Sequence, residues 1–151
     1  MIKTIRNFIF QTYFRISRPM TLGVRIIVNK NNQFCLIKHT YIDGWHLPGG
    51  GVEKNESAYQ AALKEIREEA GIIANIEDLK LISIHTNFEN FKGDHVILFE
   101  VNKFEETQKF NANEIKEMGF FTIDNLPDGT TRATIERLNE FIKIKTQSHK
   151  W

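Results

Sequence analysis

The sequence predicts one domain with an α/β sandwich fold. Its 151 residues are enough to bury a single core. The residue patterns predict secondary-structure elements in the order helix, strands, helix, strands, helix. A hydrophobic fraction of 41% and a charged fraction of 26% are ordinary for a globular domain. Helices covering a sheet are the simplest way for these elements to bury their apolar sides.

A basic amphipathic helix is predicted at the N-terminus, as an extension covering residues 1–18. Its apolar residues recur at three- and four-residue intervals: Ile2, Ile5, Ile9, Tyr13 and Ile16. Lysine and arginine interrupt every apolar run, unlike a signal peptide, and no run reaches the roughly 18 residues of a spanning helix. We expect the helix to pack on its own domain or on a second subunit; lying on a membrane surface is the alternative.

The main domain is expected to cover residues 19–146, followed by a tail at 147–151. Two apolar runs separated by the turn signal "NKNN" predict a β-hairpin, and a short extended piece follows near Trp45. The segment from Ser57 to Ala70 is the clearest helix, ended by Gly71. The remaining patterns predict three strands and a last helix, at 78–88, 95–104, 114–123 and 130–145.

Charge and cysteine content restrict the function classes. No acidic residue precedes Asp43, whereas seven basic residues do: Lys3, Arg6, Arg15, Arg18, Arg25, Lys30 and Lys38. This bias suits an anionic substrate or surface, or else reflects solvated charges at strand ends. The net charge of +1 and the lack of a basic patch with interleaved aromatics argue against a nucleic-acid partner. The single cysteine, Cys35, excludes an intramolecular disulfide and favours a cytoplasmic location.

Three glutamates in the clearest helix suggest a metal site. Glu65, Glu68 and Glu69 share one helical face beside the apolar stripe. Clustered carboxylates raise one another's pKa unless a cation neutralises them, and Mg²⁺ or Mn²⁺ prefers oxygen ligands. A solvated acidic face, with a surface ion pair to Lys64, is the alternative. The glycines at 49–51 favour the metal site, because they let a backbone carbonyl approach an ion.

The combined spacing resembles the signature of the Nudix hydrolase family. Gly50 is followed after five residues by Glu56 and after seven more by "KEIREEAGI", and the preceding "LPGGGVE" is also typical. The order of elements from about Met20 to Lys145 suits the family's α/β/α sandwich with a mixed sheet. Lys64 stands where the family usually has arginine. Lysine keeps the charge but loses the planar two-pronged donor, so it is either tolerated or weakens catalysis.

The resemblance implies a pyrophosphohydrolase that uses Mg²⁺ or Mn²⁺ to cleave a nucleoside diphosphate linked to another moiety by water attack on phosphorus. By resemblance, the metal ligands are Glu65, Glu68, Glu69 and the Gly50 carbonyl. The catalytic base is Glu68, Glu69 or an acid from a later loop, of which Glu114 and Glu117 are candidates.

Further roles are implied with less detail. Glu56 is expected to pair with Lys64 and support the helix, and Arg25 and Lys38 are candidates for contacts with substrate phosphates, with Glu114 also near the substrate. Family members that act on ADP-ribose have a proline in the region that reads "ISIHTNFEN" here, and this chain lacks it. The predicted substrate is therefore a nucleotide or a nucleotide-sugar diphosphate, without further detail. A non-catalytic module that binds nucleotide or RNA is the alternative function. Homodimers are common among similar proteins.

Overall fold

A computed structural model describes residues 2–17, 19–107 and 109–151, without the side chains of residues 2–4, 7 and 15. The elements, in chain order, are α1 (Ile2–Ser17), β1 (Thr21–Lys30), β2 (Gln33–His39), β3 (Trp45–His46), α2 (Ala58–Ala70), β4 (Ile72–Ile73), β5 (Lys80–Thr86), β6 (Asp94–Val101), β7 (Glu105–Glu106), β8 (Ile115–Phe121) and α3 (Arg132–Phe141). Short 3-10 turns occupy 76–78 and 123–125.

The main sheet is mixed, as predicted. Its order is β3-β2-β1-β6-β5, with β8 also paired to β2. Strands β1 and β6 are parallel from Thr21 opposite Asp94 to Val28 opposite Val101, and the other pairs are antiparallel. The predicted hairpin is β1–β2, whose turn uses Asn31 and Asn32 with φ of 51° and 63°. Asparagine is one of the few residues that tolerate this left-handed conformation.

Alternate residues of β1 pack into two hydrophobic cores, one on each face of the sheet. Ile26 and Val28 lie in a cluster with Ile66 of α2, whereas Ile27 lies in a second cluster with Leu138 of α3. This period-2 alternation is why one strand can contact both helical layers. The α/β/α sandwich is therefore confirmed.

Helix α2 has well-defined ends. Ser57 caps the N-terminus, and its hydroxyl accepts from the Gln60 N–H while the Gln60 side chain accepts from the Ser57 N–H. Gly71 ends the helix in a left-handed conformation with φ of 64°. Such caps satisfy the terminal backbone groups of a helix. They fix where α2 begins and ends, and so which residues belong to the helix that carries the three glutamates.

Helix α3 is shorter than predicted, since it ends at Phe141 and Lys143 has a φ of 65°. Beyond it, residues 148–151 return to the sheet, and the backbones of Thr86, His149 and Trp151 exchange hydrogen bonds. The buried Arg137 guanidinium donates to the Lys150 carbonyl and the Glu140 carboxylate, both at 2.6 Å. Its carbon centre lies 5.4 Å from the centroid of the Trp151 ring.

Helix α1 forms over the predicted residues but is not covered by its own domain. The apolar side chains that the structure describes on it are exposed, including Phe8 at 70% and Ile16 at 77%. Packing on a second subunit or on a membrane stays a prediction. Among the residues whose placement is described, no helix is long and apolar enough to cross a membrane.

His85 should make folding stability sensitive to acid. Its Nδ1 accepts from Arg137 at 3.2 Å, so the ring is neutral and its Nε2–H donates to Ser83 at 2.6 Å. Burial lowers the pKa of His85, as do the charges of Arg137 and His149, against opposing effects of Glu140 and the Lys150 backbone. The unfolded chain therefore takes up a proton first, and the stability present above about pH 6.5 falls as the pH drops.

We expect His85→Gln to cost about 1 kcal/mol at neutral pH through lost hydrogen bonds, but to lose less further stability between neutral pH and pH near 5. Denaturant midpoints of both proteins at the two pH values provide the measurement. An equal loss of stability in both would show that His85 does not carry this acid sensitivity.

Candidate active site

A glycine loop, residues 48–52, runs along β1 as an added strand-like segment. The Ile26 N–H donates to the Pro48 carbonyl at 2.9 Å, and the Val24 N–H donates to the Gly50 carbonyl at 2.9 Å. At Gly49, with φ of 145°, a Cβ would lie 2.1 Å from the Val24 carbonyl oxygen. Only glycine allows so close an approach of two backbones, so the sequence at this position sets the path of the loop.

Arg25 on β1 holds the loop in position through hydrogen bonds to backbone carbonyls. Its Nη1 donates to the Leu47 carbonyl at 3.1 Å and to the Gly49 carbonyl at 2.6 Å. Burial lowers the pKa of Arg25, while the nearby charges of Glu69 and Glu65 oppose that change. These hydrogen bonds give Arg25 a role in positioning the loop, and its contact with a substrate phosphate stays a prediction.

Glu69 is buried beneath the loop, with 5% of its surface exposed. Its Oε2 accepts from the Gly49 N–H at 2.7 Å, and its Oε1 lies 3.8 Å from the His39 Nε2. Burial raises the pKa of Glu69 to about 7, although the hydrogen bond from Gly49 and the charge of Arg25 lower it. A carboxylate with this pKa can exchange protons near neutral pH.

Glu65 lies one helical turn earlier, against the same loop. A Cβ on Gly50 would be only 2.8 Å from the Glu65 carboxylate, so glycine makes room for this side chain. Burial raises the pKa of Glu65, and the charge of Lys64 opposes the change. The loop and α2 thus bring two partly desolvated carboxylates together, while the Gly50 carbonyl accepts from the Val24 N–H.

Glu68 occupies a different environment. Half of its side chain is exposed, and its Oε1 lies 3.5 Å from the Arg67 Nη2. Glu68 is therefore open to solvent, whereas Glu65 is partly buried and Glu69 is buried. An exposed ion pair of this kind contributes between zero and about 1 kcal/mol, so it holds Glu68 weakly.

Lys64 binds carboxylates on the segment before α2. Its Nζ lies 3.1 Å from Glu56 and 3.4 Å from Glu53. The Glu56 Oε2 also accepts from the Glu53 N–H at 3.0 Å. The ion pair expected between Glu56 and Lys64 is present, and it ties α2 to the chain that leaves the glycine loop.

Comparison with known proteins identifies this arrangement. The family model of the NUDIX domain matches residues 18–140. The chain belongs to the NUDIX domain family. It is accordingly a Nudix pyrophosphohydrolase, and the family is typically dependent on a divalent metal and acts on nucleotide-type substrates.

Individual Nudix relatives cover the chain to different extents. An ADP-ribose pyrophosphatase from Methanocaldococcus jannaschii is 29% identical over 76% of this chain and 69% of its own length. An RNA pyrophosphohydrolase from Hydrogenovibrio crunogenus is 45% identical, but over only 31% of this chain and 28% of its own. The crystal structure of a MutT NUDIX hydrolase from Burkholderia pseudomallei superposes with a TM-score of 0.68, at 25% identity, over 79% of this chain and 95% of that one.

The oxygen atoms of this Nudix site are the kind of ligand that a hard divalent cation prefers. Glu65 and Glu69 supply carboxylate oxygens and the glycine loop supplies carbonyl oxygens, and such ions prefer oxygen. Within the parts of the chain that the structure describes, however, no three histidine, cysteine, aspartate or glutamate side chains already form a ligand group. Glu65 and Glu69 lie against the glycine loop, and Glu68 would have to turn from Arg67 to join them.

The other residues predicted to contact the substrate are Lys38 and Glu114. The Lys38 Nζ is 3.4 Å from the Glu117 carboxylate and lies over the Trp45 ring, so its charge is already paired. Glu114 is exposed, and its backbone carbonyl accepts from the Thr40 N–H at 2.8 Å, which places its loop next to the end of β2.

Sequence reasoning did not single out Tyr41. This residue is 66% exposed, and its ring centroid lies 5.0 Å from that of His39. Partial burial raises the pKa of Tyr41, and the charges of Glu69 and Glu114 raise it further. The neighbouring His39 ring connects Tyr41 to the buried carboxylate, because the His39 Nε2 lies 3.8 Å from the Glu69 Oε1. The only signal in the sequence was an aromatic residue shortly before the glycine loop.

Gly50→Ala should impair catalysis without unfolding the protein. The added methyl group would displace the Glu65 carboxylate, and a misplacement of about 1 Å can cost on the order of a hundredfold in rate. Gly51→Ala is the matched control, because a Cβ there meets no atom within 4 Å. Steady-state rates of both variants with one cleaved nucleotide and Mg²⁺ test the idea. Similar rates for the two variants would contradict it.

Proposed function

We propose that this protein uses Mg²⁺ or Mn²⁺ to hydrolyse a nucleoside diphosphate linked to another moiety, by water attack on phosphorus. The observation that carries the proposal is the pair of carboxylates, Glu65 and Glu69, held beneath the glycine loop. Glu65, Glu68, Glu69 and the Gly50 carbonyl would hold the metal. When bound, the ion supplies charge neutralisation for the diphosphate and activation of water.

The chain's own residues set up this chemistry. The Gly49 N–H orients the Glu69 carboxylate, while Arg25 keeps the loop carbonyls in place. The buried setting of Glu69 excludes solvent from the group and strengthens its electrostatic effect on charges nearby. Pairing with Glu56 and Glu53 keeps the ammonium of Lys64 at the start of α2, in support of the helix that carries the ligands.

Tyr41 supports a nucleotide as the substrate. Its exposed ring, beside the His39 ring that approaches Glu69, offers a surface on which a base can stack, a contact that every base can make. Lys38 and its partner Glu117 lie on neighbouring strands of the same sheet, and we propose that a substrate phosphate competes for this lysine. The relative named ADP-ribose pyrophosphatase makes ADP-ribose one candidate, although the proline expected of such members is absent.

The substrate class can be tested by phosphate release from nucleoside triphosphates, ADP-ribose, nucleotide sugars and dinucleoside polyphosphates, each with Mg²⁺ and with Mn²⁺. We expect turnover of at least one class. No turnover with either metal, combined with nucleotide binding, would favour a non-catalytic binding module instead.

Glu69→Gln is expected to reduce metal-dependent turnover to near background, since the amide keeps the shape but removes the charge and the proton acceptor. The matched control is Glu77→Gln, an exposed acid outside the site. Thermal unfolding should be nearly unchanged in both proteins. Full activity of Glu69→Gln would overturn the assignment of the metal site.

Glu114→Gln tests whether the catalytic base lies on α2 or in the later loop. If Glu69 or Glu68 accepts the proton of the attacking water, the variant keeps the acidic limb of the pH profile of kcat/KM, with a modest change in rate. If Glu114 is the base, that limb disappears and the rate falls by about 100-fold or more. The profile of wild type and variant on the same substrate decides between them.

A further inference from the structure

Helix α1 presents an apolar surface that the rest of the described chain leaves uncovered. Each of the following side chains is more than half exposed: Ile5, Phe8, Ile9, Phe10, Tyr13 and Ile16. A helix of 16 residues is about 24 Å long. Six exposed apolar side chains on one helix mark an interaction site more often than a bare exterior.

A second apolar group lies where α1 joins the sheet. The loop between β5 and β6 exposes Phe88 at 54% and Phe91 at 62%, and Met20 is 65% exposed. The Thr21 N–H donates to the Gly93 carbonyl at 3.1 Å, and a Cβ on Gly93 would lie 3.7 Å from the Met20 Cα. Met20, which follows α1, therefore lies beside the loop that carries Phe88 and Phe91. We call the exposed face of α1 together with Met20, Phe88 and Phe91 the N-terminal patch.

The charges of the patch favour one kind of partner. The first 42 residues contain no acid, and the exposed Arg6 is one of four basic residues among the first 18. On the neighbouring loop, Glu89 lies 3.2 Å from the Lys150 Nζ, and Asp94 accepts from Thr21 and Asn87. Two copies of α1 packed together would set like charges against each other with no acid on either helix, whereas anionic headgroups would complement them.

We propose that the N-terminal patch binds the surface of anionic lipid bilayers, with α1 lying in the interface. Aromatic and aliphatic side chains enter the boundary of headgroups and acyl chains, and the basic residues contact lipid phosphates. The proposal concerns a surface outside the metal site, so it holds or fails independently of the proposed hydrolysis.

Docking of this kind would bring the active-site loop near the bilayer. The Val52 N–H donates to the Leu22 carbonyl at 2.8 Å, and Gly50 pairs with Val24. Val24 lies four residues along β1 from Met20, a span of about 13 Å. The glycine loop therefore leaves the sheet close to the end that carries the patch.

Vesicle flotation with the full-length protein tests the proposal. We expect it to float with vesicles of phosphatidylcholine and phosphatidylglycerol, to float much less with phosphatidylcholine alone, and to be released by salt. Arg6→Glu should lower the ratio of bound to free protein by about fivefold or more, since each basic residue near the surface contributes about that factor. Phe8→Ser and, outside the helix, Phe91→Ser should also lower it.

Matched controls lie at the opposite end of β6. Lys103→Glu changes an exposed charge, and Ile76→Ser removes an exposed apolar side chain; both should float like wild type. Thermal unfolding confirms that each variant is folded. Absence of flotation with anionic vesicles, or patch variants that float like the controls, would overturn the proposal. So would light scattering that shows a stable dimer broken by Phe8→Ser, because a second copy would then cover the patch.

Discussion

The hydrogen bond between the Gly49 N–H and the Glu69 carboxylate joins the two parts of the active site. It crosses from the glycine loop to the last turn of α2, so the position of each depends on the other. Arg25 supports this contact from β1 by holding the carbonyls of Leu47 and Gly49. Because a buried carboxylate is costly without such partners, the site requires the loop, the helix and the strand to be assembled together.

This arrangement explains why the three glutamates, though close in sequence, differ in setting. Glu69 and Glu65 face the loop, and burial raises the pKa of both, whereas Glu68 remains half exposed. A divalent ion would offset the cost of burying the first two and offer a reason for Glu68 to turn inward. The fold thus buries two carboxylates in a setting where a nearby positive charge interacts with them most strongly.

Local patterns in the sequence predicted most of the elements, and long-range contacts account for what they missed. The ends of α2 follow from Ser57 and Gly71, and the shared face of the glutamates follows from helical spacing. The role of Arg25 and the approach of His39 to Glu69 depend on chain segments far apart in sequence, so no local pattern reveals them. The period of α1 predicted a helix correctly, but periodicity does not say what covers an apolar face.

The parallel pairing of β1 with β6 has a consequence for biosynthesis. Thr21 meets Asp94 across 73 positions of the chain, so β1 has no partner on that side until β6 has emerged. At ordinary rates of translation this interval is roughly 4 to 15 s. The β1–β2 hairpin and α2 can form earlier, but one edge of β1 stays open to wrong strand partners. Nascent chains stalled before β6 should therefore be the most prone to aggregate.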